Sequence, residues 1–170
     1  KEKNIKKALG FIEEAAREGA NLVSLPEYVD FLGDDKEKLN ISESIPGPTS
    51  EVFMSKAKEL GVYIHVGSMV EKTPENRSYN TSLLINPKGE ILASYSKIHL
   101  FDIEIEGRVL AKESDTIKPG EKIVTAETDF GTVGLSICYD LRFPELYRSL
   151  ALAGAKVIFI PAAFTLYTGI

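Results

Sequence analysis

The chain has a single cysteine, Cys138, within the run Val133-Gly134-Leu135-Ser136-Ile137-Cys138-Tyr139-Asp140-Leu141-Arg142-Phe143-Pro144-Glu145. The residues before it suit a buried strand, and Pro144 suits the first turn of a helix. Cys138 therefore stands where a strand gives way to a helix, the edge at which ligands and chemistry collect in parallel α/β sheets. A lone cysteine is more often a small buried hydrophobe than a nucleophile. Here it is followed by Tyr139-Asp140-Leu141-Arg142, a polar run that a core would not place there. A thiol with the ordinary pKa of about 8.5 is mostly protonated at neutral pH, so nucleophilic chemistry needs a base or a cation brought from elsewhere in the chain.

Glu27 is the best candidate base. It stands directly after an apolar strand, in Leu25-Pro26-Glu27-Tyr28, although an arbitrary loop glutamate is usually solvated. A carboxylate at such a strand end can take and return a proton. Lys97 lies in Ser96-Lys97-Ile98-His99-Leu100-Phe101-Asp102. If that run is extended, Lys97 and His99 share one face. An ammonium beside the sulfur stabilises both a thiolate and a developing oxyanion. His99 and His65 are rival activators, because Cys–His pairing also activates a thiol. His65, flanked by Ile64 and Val66, reads as a packed core residue, and His99 is the more serious of the two. Arg142, four residues after Cys138, either forks onto a substrate carboxylate or pairs internally with Asp140 or Glu145.

The elements that must position these groups follow from periodicity and punctuation. Helices are expected over 1–18, from Thr49 or Ser50 to Leu60, and over 144–153, with Gly19, Gly61 and Gly154 as stops. Strands are expected over 21–25, 62–70 and 157–160. Two hairpins are expected, 82–85 with 90–95 around Asn86-Pro87-Lys88-Gly89, and 123–126 with 132–137 around Asp129-Phe130-Gly131. Residues 30–44 read as a surface excursion, 73–78 as a turn, and 102–114 as a loop. Helix-to-strand units give parallel strands and hairpins give antiparallel pairs, so the expected fold is a mixed α/β sheet structure.

Composition narrows the partners. With 170 residues, 44% hydrophobic and a formal charge of −5, the chain is long enough for one domain with a sizeable core and shows no basic stripe for nucleic acid. One cysteine excludes an internal disulfide framework and fits a reducing cytoplasm. No apolar run approaches the length of a membrane helix. Two histidines and one cysteine show no zinc spacing, and no phosphate loop appears, so no metal or nucleotide cofactor is expected. The first residue is Lys1 in a helix pattern and the last is Ile170 after a strand, so flanking structure is expected at both ends.

Taken together, Leu25-Pro26-Glu27, Tyr95 to Asp102, Lys112-Glu113-Ser114 and Ile137 to Glu145 resemble, in order and spacing, the nitrilase superfamily of carbon–nitrogen hydrolases across the whole chain. The wording around Lys97 and Cys138 is most similar to the branch of ω-amidases and deaminated-glutathione amidases. The resemblance implies an α-β-β-α sandwich in a homodimer or larger homo-oligomer, and no cofactor. It implies a Glu27-Lys97-Cys138 triad, with Glu113 as a second glutamate that holds Lys97 and helps position substrate. It implies an amidase that releases ammonia from a small carboxylate-bearing amide through a thioester, with the Tyr139 N–H at the oxyanion and Phe164 and Thr168 lining the pocket. Nitriles, N-carbamoyl compounds and deaminated glutathione are alternative substrates, and an inactive interaction domain of the same fold is the non-enzymatic alternative. The family also carries a strand before the first helix, and strands and a helix after Ile170, which this sequence lacks.

Overall fold

The computed structural model describes residues 1–105 and 109–164. Helix α1 (Glu2–Arg17) buries Ala8 and Ile12 on its apolar stripe, and Gly19 leaves it at φ +95°. It leads into β1 (Leu22–Ser24), α2 (Asp35–Ile41) and α3 (Pro48–Leu60), which Pro48 opens and a left-handed Gly61 closes. Strands β2 (Tyr63–Lys72), β3 (Ser78–Ile85) and β4 (Ile91–Ser96) complete a four-stranded sheet of order β1-β2-β3-β4. β1 runs parallel to β2, and the other pairs are antiparallel. A two-stranded hairpin, β5 (Asp102–Ile105) and β6 (Val109–Lys112), follows. The last sheet joins β7 (Thr125–Thr128) and β8 (Gly131–Leu135) in a hairpin and adds β9 (Val157–Phe159) parallel to β8, after α4 (Pro144–Leu152).

The period-two alternation of the strands sorts side chains into layers. Ile64 and Val66 of β2 and Leu83 and Ile85 of β3 pack with Ala8 and Ile12 of α1 and Phe53 and Ala57 of α3. The opposite face presents Tyr63, Leu84, Ala93 and Tyr95, which pack against Val133, Leu135 and Ile137 of the other sheet. Gly134 faces the far side, where a Cβ would sit 3.0 Å from Leu150 of α4. The order is therefore helices, sheet, sheet, helix, with two apolar layers and one polar region at the strand ends.

Four expectations are corrected. β3 begins at Ser78 rather than Ser82, because Ser78, Asn80, Thr81 and Ser82 are all buried and find polar partners, a strand that hydropathy alone reads as a turn. The stretch 102–114 is a hairpin followed by a 3₁₀ turn, Glu113–Asp115, rather than a loop. The stretch 30–44 contains α2 and two buried charged residues, Asp30 and Lys38, with the Lys38 ammonium 4.2 Å from the centre of the Tyr28 ring. The run Lys97 to Phe101 is not extended: β4 ends at Ser96, and the His99 N–H leaves the sheet to donate to Asp140.

The loop carrying Glu27 is docked on an irregularity in β2. The β2–β3 register shifts between Val66 and Met69. There Ser68 N–H donates to Pro26 O at 3.3 Å, Val29 N–H donates to Ser68 O, and Tyr28 N–H donates to Ser68 Oγ at 2.9 Å. Gly67 permits this approach, since a Cβ at that position would lie 2.1 Å from Leu25 O and 2.3 Å from Pro26 O, both rigid backbone atoms. Gly67→Ala is expected to push the loop outward and destabilise the fold by about 1–3 kcal/mol, an overpacking cost. Urea unfolding checks this, and an unchanged midpoint would contradict the docking.

Candidate active site

Three strand ends deliver three of the candidate residues. Glu27 follows β1, Lys97 follows β4 and Cys138 follows β8, each at the carboxyl end of its strand. β1 and β4 run in the same sense, through two antiparallel pairings and one parallel one, so Glu27 and Lys97 leave the first sheet on one side. Glu113 opens the 3₁₀ turn after β6. The structure brings all four side chains together. Lys97 Nζ lies 3.3 Å from Glu27 Oε1 and 2.9 Å from Glu113 Oε2, with 2% of its side chain exposed. Burial pulls the ammonium toward deprotonation, but the two carboxylates, Glu113 foremost, outweigh it and hold its pKa above the ordinary lysine value. Burial likewise pushes Glu113 up, and Lys97 with the Phe101 N–H overrides it, so its pKa is lowered. The Phe101 N–H donates to Oε2 at 2.7 Å, and the Tyr28 hydroxyl donates to Oε1 at 2.9 Å.

Cys138 is buried and sits at φ +48° at the start of a 3₁₀ turn, Cys138–Arg142. A positive φ is costly for a residue with a Cβ and is held only when the surroundings over-determine it. Here Cys138 N–H donates to Pro161 O at 2.9 Å, and the Ile137 N–H donates to Asp140 Oδ2 at 2.8 Å. The thiol is hydrogen-bonded to Glu27 and lies in the field of Lys97. Burial, then the Glu27 charge, push it up to about 12, with Lys97 and the Ala163 N–H pulling the other way. The resting sulfur thus carries its proton and has a carboxylate acceptor beside it. The Ala163 N–H also donates to Glu27 Oε2 at 2.8 Å.

A thiol, an ammonium and two carboxylates in one water-poor corner can attack a carbonyl, move one proton and hold an oxyanion. The carbon–nitrogen hydrolase family profile matches residues 1–169. The chain belongs to that family. This carbon–nitrogen hydrolase chain is 44% identical over 170 residues to a deaminated glutathione amidase of Synechocystis sp., covering 98% of the chain and 62% of the relative. It is 40% identical over 169 residues to human omega-amidase NIT2, covering 99% of the chain and 61% of the relative. Among solved structures, Saccharomyces cerevisiae Nit3, a member of branch 10 of the nitrilase superfamily, superposes with a TM-score of 0.84 at 33% identity, covering 98% of this chain and 60% of Nit3. The chain thus spans about three-fifths of the length of these relatives.

The remaining expected residues divide. His65 lies between the sheets, bonded to Ser24 Oγ and Ser82 Oγ at 2.8 Å each and stacked on Phe159, and burial pushes it down to about 3. It is a neutral packing residue. His99 is spoken for by Asp140: Nδ1 lies 2.7 Å from Oδ1, and the ring stacks on Phe143. Asp140 is fully buried, and its other oxygen accepts Tyr95 OH and the Ile137 N–H. With Asp140 so committed, the internal Arg142–Asp140 pair does not form, and Arg142 is exposed. Tyr139 meets Phe101 and Phe143 edge-on. Phe164 is 40% exposed one residue beyond Ala163, and Thr168 lies outside the described residues. Among the described residues, no group of three or more His, Cys, Asp or Glu side chains is placed to hold a metal ion.

Sequence reading missed Asn80, Tyr28 and the Ala163 N–H. Asn80 shares the inter-sheet face of β3 with Ser82 and Leu84, and its Nδ2 donates to Glu27 Oε1 at 3.0 Å. The period-two pattern would have pointed to it had β3 been started at Ser78.

Because burial makes the folded thiol hold its proton more tightly than an unfolded one, stability from this group is intact below the ordinary thiol pKa of about 8.5 and falls as pH rises toward about 12. At about pH 9.5 the native protein is expected to show no ultraviolet thiolate band, and urea at the same pH is expected to release it. A thiolate band in the native state at neutral pH would contradict a resting thiol that keeps its proton.

Proposed function

We propose that residues 1–170 form a carbon–nitrogen hydrolase domain acting as a cysteine-dependent amidase, which releases ammonia from a small carboxylate-bearing amide through a thioester. Glu27 takes the proton of Cys138 as the sulfur bonds to the amide carbon, and the carbonyl π electrons move to oxygen. Lys97 and the Tyr139 N–H hold that oxygen, and one such donor is typically worth ~3–4 kcal/mol. As the C–N bond breaks, Glu27 returns the proton to the departing nitrogen, giving ammonia and an acyl-sulfur bond. Water then gives a proton to Glu27 and its oxygen to the acyl carbon. The C–S bond breaks and the proton goes back to sulfur. Glu113 keeps Lys97 charged and in place throughout.

The observation that carries this reading is the placement of Glu27, which stands 3.3 Å from the Lys97 ammonium and beside the Cys138 thiol and is thereby equipped to shuttle a proton between nucleophile and leaving group. The names of the relatives, omega-amidase and deaminated glutathione amidase, support the reaction class. Arg142, exposed at the turn that carries Cys138, is assigned to the substrate carboxylate and Phe164 to the acyl pocket, while a pocket role for Thr168 rests on the family resemblance alone. The 44% identity to a deaminated glutathione amidase favours a larger peptide-like monoamide as the second reading.

A homodimer or larger homo-oligomer fits the apolar side chains left exposed on α4 and β9, Leu152 at 78% and Val157 at 42%. A free thiol fits a cytoplasmic setting. The charge of −5 gives no support to a nucleic-acid partner, and no helix among the described residues is long and apolar enough to cross a membrane.

Steady-state rates on α-ketoglutaramate and succinamate, set against deaminated glutathione, uncharged amides and nitriles, decide the substrate class, and faster turnover of uncharged amides would defeat the carboxylate assignment. Cys138→Ala is expected to abolish turnover and the acyl adduct seen by mass spectrometry, and Glu27→Gln to lower kcat/KM by about 10²–10⁴-fold. Arg142→Ala is expected to raise KM for the charged amides by about 10-fold, the loss of one charge-assisted hydrogen bond, and to leave uncharged amides unaffected.

A further inference from the structure

We infer that Asn80 is a positioning residue of this site, one that keeps Glu27 in reach of the thiol instead of letting it collapse onto Lys97. This inference rests on the amidase reading above. Asn80 is fully buried in the first turn-side half of β3, on the face that looks between the sheets. Its Nδ2 donates to Glu27 Oε1 at 3.0 Å and reaches Glu113 Oε1 at 3.4 Å. Its main-chain carbonyl oxygen accepts the main-chain N–H of Lys97 at 2.9 Å. One residue therefore ties together the three charged groups, which come from three separate stretches of chain.

The orientation of this amide is forced. Both oxygens it faces belong to acceptors, so the nitrogen must point at them and Oδ1 must point away. Oδ1 then finds no donor among the described residues. A buried acceptor without a donor is unfavourable, and an apolar side chain of the same shape would remove that cost. Fold stability alone therefore does not account for an amide at this position, whereas the two N–H groups do.

The distances indicate what those N–H groups accomplish. Lys97 lies 2.9 Å from Glu113 but 3.3 Å from Glu27. Glu27 Oε1 is shared between the ammonium and the Asn80 amide, while Oε2 is pinned by the Ala163 N–H at 2.8 Å. Remove the amide, and Lys97 becomes the one side-chain donor to Oε1 among these contacts. Attraction at this depth then draws the carboxylate toward the ammonium and away from sulfur. Asn80 reaches the reacting atoms only through Glu27 and Lys97.

The test combines Asn80→Ala, and the equally shaped Asn80→Asp, with Glu27→Gln in a double-mutant cycle. Two rates are read, amide turnover and alkylation of Cys138 by iodoacetamide followed by mass spectrometry. Asn80→Ala is expected to lower kcat by about 10- to 100-fold, the range for a hydrogen bond to a charged group, with KM within about two-fold. Alkylation is expected to slow with it. In the Glu27→Gln background, adding Asn80→Ala is expected to change alkylation by less than about two-fold, because the route through Glu27 is already lost. Turnover within about two-fold of the unsubstituted protein, or a loss that multiplies with that of Glu27→Gln, would overturn the proposal. If Asn80→Ala fails to fold, Asn80→Asp is read by the same criteria, and failure of both to fold would assign Asn80 to the fold and also overturn it. Absence of turnover and of Cys138 alkylation in the unsubstituted protein would instead strike the amidase reading itself.

Discussion

Withdrawing an ammonium ion from water costs several kcal/mol even after the protein relaxes around it, and the cost is met only when partners are close and well oriented. Lys97 is withdrawn almost completely, and Glu113 and Glu27 stand at 2.9 and 3.3 Å from its nitrogen. Neither carboxylate tolerates that depth alone. Glu113 is held by the Tyr28 hydroxyl and the Phe101 N–H, and Glu27 by Asn80 and the Ala163 N–H. Each of these donors arrives on a different stretch of chain, so the requirement of one buried cation fixes the relative placement of most of the loops at this end of the molecule.

That arrangement also explains the state of the sulfur. One cation and two carboxylates leave the cluster with a surplus negative charge. A preformed thiolate would add another, and burial together with the Glu27 charge drives the thiol to about 12. In the proposed reaction the changes are therefore coupled: sulfur gives up its proton as it bonds, and Glu27 becomes neutral as the carbonyl oxygen becomes negative. Net charge stays constant along the step, so a rigid, dry site needs no rearrangement of ions to carry it. The left-handed turn at Cys138, fastened by Pro161 and by Asp140, holds the residue at a boundary, packed with the apolar layer of Ile137 and its neighbours and within the field of Glu27 and Lys97.

Much of this was legible in the sequence, and the exceptions share a cause. Glu27, Lys97 and Cys138 stand out because each is a reactive side chain placed where an apolar strand stops. A mixed α/β sheet structure follows from helices ended by glycine and strands ended by proline, whereas its stacking as a sandwich is reached only through resemblance. Glu113 is reached only through resemblance, since its local surroundings look like any charged loop and its importance comes from Lys97, sixteen residues away. Asn80 is not reached at all, because a buried polar strand residue satisfied by distant side chains has the hydropathy of a turn. The stretch after Lys97 fails for the same reason: nothing between residues 97 and 101 announces that Asp140, forty-one residues further on, will capture His99.

The corner is shared between the two layers. Glu27, Asn80 and Lys97 ride on the first sheet, and Cys138 and Ala163 ride on the second. The contacts that join them are short and directional, whereas the surfaces that join the sheets are greasy side chains able to slip without exposing themselves to water. A glide of one layer over the other by an ångström would leave helices, strands and the apolar filling intact while parting sulfur from carboxylate. Heat should therefore silence the proposed activity before it melts the fold, making turnover a finer gauge of interlayer alignment than any spectrum of backbone structure.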